Sequence, residues 1–450
     1  MATFDPETVL TKIQVALAHN DLNHAIQILE SLRAPDQADI FNDLDDRDKL
    51  ALLPQLAPST SADILEDLED EEAAELMRFL PSNNAILILD EMEPDEAADL
   101  LGDIGRDQAE EILAGMEHPE EVRPLLLHPD DSAGGLMTSE FLALRRRMTA
   151  REALNAIRLW QPESENVNHL FVIDGQESLV GIVSLRQLIV ADPDTMLWNI
   201  MDPDVISVQA GADQEQCAQL MARYDLTALP VVNGNRRLIG VITIDDVIDV
   251  IEEETTEDIQ RLGGAQPLDA PYLSTRISTV FRKRVGWLML LLVTGSLTGT
   301  VMRIFEDELS TVVALSFFIP LLVGTGGNAG SQTTSTIIRA LAVGEIDLGD
   351  ALRSIWHELR VGLLLGLSMA VIAYVRAITW GSGQGLALAV SLAIFTIVVW
   401  ANGLGAFLPI LAARLKIDPT TVSGPVMSTL VDATGLFIYF MIAKVILGLW

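Results

Sequence analysis

Asp432 lies in the last of five long apolar stretches of a 450-residue chain, and it is the only carboxylate well inside any of them. Placing a charged side chain at the centre of a bilayer costs at least about 2.5 kcal/mol, so such an acid faces a cavity or a partner and marks a function by default. Pro425, Ser428, Asp432 and Gly435 recur at helical spacing and make one small, polar stripe. Pro425 cannot hydrogen-bond back to Thr421, whose carbonyl is left to point into water or at an ion. Proline, small residues and a carboxylate on one stripe describe the wall of a cation path. The alternative is a neutral, protonated Asp432 hydrogen-bonded between helices, and no basic residue at matching depth offers itself as a partner.

The second apolar stretch contains Pro320-Leu-Leu-Val-Gly-Thr-Gly-Gly-Asn-Ala-Gly-Ser-Gln332. Its glycines weaken the helix and allow close backbone approach, either for helix packing or to line a path that includes Gly324. Packing alone explains the glycines. It does not require Asn328 and Gln332, whose i, i+4 spacing puts two amides on one face.

A third group of residues is acidic. Thr243 to Asp258 places Asp246, Asp249 and Glu253 along one face of a helix. Like charges at that spacing destabilise an isolated helix by a few tenths of a kcal/mol per pair, so something must compensate, unless the run is simply a solvated face. Catalytic chemistry is absent from the pattern. Cys217 is the single cysteine, and His118, His128, His169 and His357 fall in unrelated segments without a nucleophile and base pair. The sequence therefore argues against an enzyme.

The elements that must carry these residues are set apart by charge. Before Val280 the net charge is −37 and after it +2, within a total of −35. A field of that sign excludes nucleic acid and anionic lipid as partners of the first part and concentrates cations around it. Met1 to Asn20 lacks a basic segment, apolar core and small-residue cleavage site, so no signal peptide is expected, and the lone cysteine suits a reducing cytosol.

Two repeats organise the acidic part. Ile64 to Met77 aligns without gaps on Ile88 to Leu101, a period of 24 that extends weakly to segments starting at Ile40 and Ile112. Each unit reads as two short helices around a break, and units this small must stack into a superhelical solenoid. Val172 to Ile189 then aligns on Val231 to Ile248 at a period of 59. Each copy reads strand, glycine-containing hairpin, strand and helix. With Leu136-Met-Thr138 and Leu229-Pro-Val-Val232 beside them, the copies resemble a tandem pair of CBS domains, which are regulatory modules.

Beyond Arg282-Lys-Arg284 five apolar spans follow, near Val285 to Met302, Val312 to Leu341, Val361 to Ile378, Leu386 to Leu411 and Val422 to Leu449, each long enough to cross a bilayer. Arg282, Lys283, Arg284, Arg339, Arg353, Arg360, Arg414 and Lys416 flank one side, against Arg303, Arg376 and Lys444 on the other. The positive-inside rule puts the N-terminal domains in the cytosol and the C-terminus outside.

Gly324-Thr-Gly-Gly-Asn328, the stripe from Pro425 to Gly435 with its Asp432, the CBS-like pair and the acidic helical repeats together resemble the MgtE family of magnesium channels, in the family's order and over essentially the whole chain. The fold expected is a multidomain membrane protein: an α-helical superhelical N-domain at 1–130, α/β tandem CBS domains at 131–250, a connecting helix at 251–280 and a five-helix transmembrane pore domain at 281–450. The resemblance implies a homodimer in the plasma (inner) membrane, with a pore on the two-fold axis lined by Asp432 of each subunit. It also implies cytosolic domains that close the pore when intracellular Mg²⁺ is high. The acids it assigns to bridging dications are Asp95 in the solenoid, Asp225, Asp246 and Asp249 in the second CBS copy, and Glu215, Glu257, Asp258 and Asp418 toward the membrane, with Asp63 as a further acid. Because Mg²⁺ holds its water tightly, one carboxylate per subunit suits a hydrated ion. The pattern does not separate Mg²⁺ from Mn²⁺, Co²⁺ or Ca²⁺, and a broader divalent-cation transporter or a non-conducting ion or nucleotide sensor stays open.

ATP is the other ligand that CBS copies take. They commonly offer a Thr or Ser followed three residues later by an Asp for the ribose. Thr243 and Asp246 keep that spacing, whereas Ser184 is followed by Gln187, which argues against ATP at the first copy.

Overall fold

The computed structural model describes residues 5–68, 70–160, 169–268, 272–273, 275–422 and 424–449. Met1 to Phe4, Glu69 of the 24-residue repeat, residues 269–271 and 274 of the connecting segment, and Ser423 at the start of the last span lie outside them. The chain divides into two compact units, Met1–Glu252 and Glu253–Trp450.

The first unit begins with ten helices among the described residues: α1 (Pro6–Ala18), α2 (Leu22–Leu29), α3 (Ala34–Asn42), α4 (Asp46–Leu52), α5 (Pro58–Glu66), α6 (Asp70–Phe79), α7 (Ser82–Leu89), α8 (Pro94–Asp103), α9 (Arg106–Gly115) and α10 (Pro119–Val122). The period of 24 is realised in space, since α3, α5, α7 and α9 stack in order while α6 lies on α8. One contact recurs from unit to unit. A carboxylate at the end of one helix accepts from a backbone N–H at the start of a later one: Ala57 N to Glu30 Oε1 at 3.4 Å, Glu93 N to Glu66 Oε1 at 3.0 Å, and Glu117 N to Asp90 Oδ1 at 2.8 Å. Each acid thus satisfies a helix N-terminus that has no intrahelical partner. Pro58, Pro94 and Pro119 occupy first-turn positions, where a missing N–H costs nothing.

The two α/β copies follow with matching elements: β1 (Ala143–Arg145), α11 (Ala150–Trp160), β2 (His169–Ile173), β3 (Leu179–Ser184) and α12 (Leu185–Val190), then β4 (Val208–Gln209), α13 (Gln214–Tyr224), β5 (Ala228–Val232), β6 (Leu238–Thr243) and α14 (Ile244–Leu262). Each sheet runs first strand parallel to second and second antiparallel to third. The copies meet at their hairpins, where Leu179 N bonds Arg236 O at 3.0 Å, Leu238 N bonds Glu177 O at 3.4 Å, and Arg237 pairs with Glu177. The second copy also shares a hydrophobic core with the helical repeats. Ile104, Leu125, Met137, Cys217, Val247 and Val250 belong to one buried cluster, whereas the first copy has its own around Leu144, Val172 and Val183. That shared core seats α14 against the acidic solenoid.

Among its described residues the second unit holds five helices long and apolar enough to cross a membrane. Its elements are α15 (Ile277–Ile304), α16 (Glu306–Thr311), α17 (Ile319–Ala342), α18 (Ala351–Thr379), α19 (Gly383–Arg414) and α20 (Gly424–Leu447). The glycines of α17 divide by role. A Cβ on Gly326 would stand 2.6 Å from Ile397 of α19 and 2.8 Å from Val431 of α20, and one on Gly330 would stand 2.8 Å from Met427. These two let three helices close together. A Cβ on Gly324, by contrast, would meet nothing within 4 Å.

Two sequence expectations change. Pro425 does not break a continuous helix; it stands in the first turn of α20, which begins at Gly424 after a 3₁₀ turn at Pro419–Thr421, so no intrahelical bond to Thr421 is lost. The interior proline is Pro409 of α19, whose missing N–H frees the carbonyl of Gly405 four residues earlier. The hydroxyl of Thr334, buried on α17, donates to that carbonyl at 3.3 Å. The connecting segment is not one helix: α14 stops at Leu262, where Gly264 adopts φ +76° and the Ala265 N–H closes the helix on Gln260 O at 3.0 Å, and helix resumes at Ile277 with α15.

Candidate cation path and acidic sensor

In the membrane-spanning unit, Oδ1 of Asp432 is buried and has no hydrogen-bond partner among the described residues. A buried carboxylate oxygen left without a donor costs more than a made hydrogen bond returns, so the position fits a cation or its water better than a structural role. Ser428 lies one turn away, near Ser331 of α17 with 3.5 Å between hydroxyls, and faces Gly327. Gly435 is buried against Ile397. On α17, Gly324, Asn328 and Gln332 are exposed at successive i, i+4 positions. Two exposed amides on a membrane helix need water or another protein surface over them, since hydrocarbon cannot satisfy them.

Within the first unit, α14 brings its acids against the solenoid. Asp95, at the start of α8, is 5 % exposed, and its Oδ1 is buried without a partner among the described residues. Burial, and then the charge of Asp246, hold its carboxyl well above the usual carboxylate range. Glu93, at the rim, is pushed up to about 7 by burial and then by Asp246 and Glu66. Asp246 is itself raised by burial, against the opposing effect of a hydrogen bond from Thr243, whose backbone N lies at 3.2 Å. Neither Asp95 nor Asp246 forms an ion pair among the described residues. A second gathering forms where Asp67 is raised by burial and then by Asp249, Asp39 and Asp63. Asp63 and Asp249 are each raised by burial first. Carboxylates crowded in this way fit a dication, which would relieve both the burial and the repulsion. No three acid, His or Cys side chains among the described residues converge as one metal cage.

In the second unit, Asp258 is raised by burial and then by Asp418. Asp418 caps the turn before α20, accepting from Thr420 N at 2.8 Å and Thr420 Oγ1 at 2.6 Å. Glu257 pairs with Arg261, and Arg261 pairs with Asp418. Among the other expected ligands, Glu215 is exposed on α13 and accepts from Gln219 at 3.1 Å, Asp225 is exposed at the end of α13 with φ 53°, and Glu253 is exposed on α14.

Sequence reasoning missed Glu93, Asp67 and Arg261. Glu93 had a readable signal, because a proline at the first helical position makes its two acidic neighbours, Glu93 and Asp95, a helix N-terminus. Arg261 had none, its partner Asp418 lying 157 residues away.

The nucleotide candidates are also placed. Ser184 and Gln187 cap α12 reciprocally, with Ser184 N to Gln187 Oε1 at 2.8 Å and Gln187 Nε2 to Ile200 O at 3.1 Å. They border a cleft lined by His169, Ser184, Arg186 and Ile189. In the second copy Asp246 is engaged by Thr243 and turned toward the solenoid. The Cys217 thiol is buried and pushed up to about 11, so it stays protonated.

A buried carboxylate oxygen without a partner among the described residues, on one of the five long apolar helices found there, in a chain that also carries an acidic solenoid and a CBS-type pair, defines a membrane protein of the cation-transport class with a regulatory part. Residues 319–442 match the MgtE divalent cation transporter family, residues 32–131 the MgtE intracellular N domain, and residues 133–194 and 197–253 the CBS domain. The chain is 44% identical over 327 residues to the magnesium transporter MgtE of Thermus thermophilus, covering 73% of this chain and 72% of that one. It is 35% identical over 333 residues to the magnesium transporter MgtE of Bacillus subtilis, covering 74% and 73%. A crystal structure of the cytosolic domain of the Mg²⁺ channel MgtE in complex with ATP is similar with TM-score 0.51 and 36% identity, covering 54% of this chain and 99% of that one. The soluble part of a magnesium transporter is similar with TM-score 0.50 and 32% identity, covering 56% and 99%. The chain belongs to the MgtE family.

Proposed function

We propose that this protein is a Mg²⁺-selective channel or transporter that imports Mg²⁺ across the plasma (inner) membrane and closes when cytosolic Mg²⁺ binds its acidic domains. The observation that carries the reading is the buried, partnerless Oδ1 of Asp432 in a membrane-spanning helix. The names of the relatives support the choice of ion. A hydrated Mg²⁺ meets Asp432 through its water, so the single carboxylate needs no inner-sphere cage. The exposed amides of Asn328 and Gln332 support a water-filled path covered by a second copy, giving a homodimer with the path on its two-fold axis. Basic residues around α15, α17, α18 and α19 support a cytosolic N-terminal part and an extracytoplasmic C-terminus. The division into an N-domain at 1–130, a CBS pair at 131–250, a connecting segment at 251–280 and a pore domain at 281–450 is part of the same reading.

Closure follows from the acid gatherings. Asp95 with Asp246, and Asp67 with Asp249 and Asp63, repel each other when ionised, and a dication reverses the sign of each interaction. The closed arrangement is favoured only because Mg²⁺ binds it better than the open one. Glu215, Asp225, Glu253, Glu257, Asp258 and Asp418 would supply the remaining regulatory contacts. The test is electrical recording from purified protein in bilayers with one divalent cation at a time. Current carried by Mg²⁺ and suppressed by Mg²⁺ on the cytosolic side is the result expected. Equal conduction of Ca²⁺, Mn²⁺ and Mg²⁺ would favour the broader divalent-cation reading that the family description permits.

A further inference from the structure

The end of α14 sits on the start of α20, the helix that carries Asp432 and so the pore helix of the proposed function. Gly264, just past the helix, lies against Trp287 of α15 and Pro425 of α20; a Cβ there would fall 2.6 Å from the Trp287 ring nitrogen and 3.3 Å from Pro425 Cγ. Gln266 N bonds Lys283 O at 3.1 Å, which fastens the following segment to α15. From the last turn of α14, Arg261 sends Nη2 to the Glu257 carboxylate and Nη1 to the Asp418 carboxylate. Asp418 in turn holds Thr420, which is 3 % exposed, in the 3₁₀ turn that leads into α20. One guanidinium therefore links the last turn of α14 to the turn from which the pore helix starts.

We propose that Arg261 is a built-in cationic clasp that docks the end of α14 on the start of the pore helix in the absence of any metal. This rests on the reading that Glu257, Asp258 and Asp418 take a regulatory dication, for the guanidinium bridges two of those same acids. Its charge is permanent and its fork offers one N–H edge to each carboxylate, which a lysine ammonium does not reproduce. A tethered cation acts at high effective concentration. The docked state is accordingly retained when Mg²⁺ is low, and the dication adds to a contact that already exists instead of creating it.

Hydrogen exchange on the full-length protein in detergent, followed in residues 257–268 and 415–422, tests this. In EDTA the wild type should exchange slowly in both segments, and Arg261→Gln should exchange about three to ten times faster, as expected for a partly exposed bridge with two partners. Arg261→Lys should fall between them. Millimolar Mg²⁺ should slow Arg261→Gln back toward the wild-type rate. Asp418→Asn keeps an acceptor for Thr420 and loses the charge, so it should reproduce the faster exchange and serves if Arg261→Gln fails to fold. Exchange in EDTA unchanged by either substitution would overturn the clasp. Faster exchange that Mg²⁺ does not slow would keep the clasp and instead remove Glu257, Asp258 and Asp418 from the dication sensor.

Discussion

Asp95 of the helical solenoid lies near enough to Asp246 of the second CBS copy for the Asp246 charge to add to the cost of ionising it, and Asp95 is buried with one oxygen left without a partner among the described residues. Two carboxylates do not hold a contact closed by themselves, so this relationship turns the acidity of the chain into a response.

The first consequence is a pH dependence in Mg²⁺-free solution. Asp95, Glu93 and Asp246 are all raised in the folded state. The stabilisation they provide is full below their ordinary values and is lost as pH rises through the raised ones, for Glu93 between about 4.5 and about 7. Glu93 keeps contact with solvent, so screening reduces its share and the buried Asp95 dominates. Limited proteolysis of the full chain in EDTA should therefore become faster from pH 5 to pH 8, and millimolar Mg²⁺ should flatten that dependence. Proteolysis that slows with pH would contradict the account.

Removing the α14 charges should weaken the dication without breaking the fold. For Asp246→Asn with Asp249→Asn, protection from proteolysis should need about tenfold more Mg²⁺, a shift of about 1.4 kcal/mol, and channel closure should move in parallel. Protection and closure at the wild-type Mg²⁺ would make these two acids ordinary solvated charges.

The membrane unit makes a packing prediction. Gly326→Ala forces a methyl into Ile397 and Val431 and should destabilise by about 1–3 kcal/mol; Gly324→Ala, open within 4 Å, should be tolerated. Thr334→Val leaves the Gly405 carbonyl without its donor and should cost about 1–3 kcal/mol, whereas Thr334→Ser should not. Thermal unfolding followed by size exclusion in detergent ranks all four.

Local regularities were legible in the sequence and distant pairings were not. The 59-residue offset carries β2 onto β5 and β3 onto β6, because a repeated hairpin has a repeated pattern. The 24-residue period places α5 and α6 onto α7 and α8 for the same reason. Asp432 was visible because one acid in an apolar run has few explanations. The free carbonyl, however, was assigned to Thr421 when it belongs to Gly405, since proline has opposite meanings at a helix start and in its interior. Which glycines of α17 pack depended on α19 and α20, elements whose placement no local pattern gives.

Nucleotide binding gives a further check, since a similar cytosolic domain has been solved with ATP. Here Gln187 turns its carbonyl to Ser184 and its amide to Ile200, and Asp246 is engaged by Thr243. Calorimetry on the full chain should show weak ATP binding that Gln187→Asp tightens several-fold. Tight, stoichiometric binding that Gln187→Asp does not improve would contradict this.

The most direct test of the central claim is Mg²⁺ current through Asp432 variants in planar bilayers. Asp432→Ala should abolish Mg²⁺ current while the protein stays folded, as read by its elution and melting behaviour. Asp432→Asn, which keeps the shape and removes the charge, should reduce Mg²⁺ current and selectivity together. Wild-type current with unchanged selectivity in Asp432→Asn would take the carboxylate out of the permeation path.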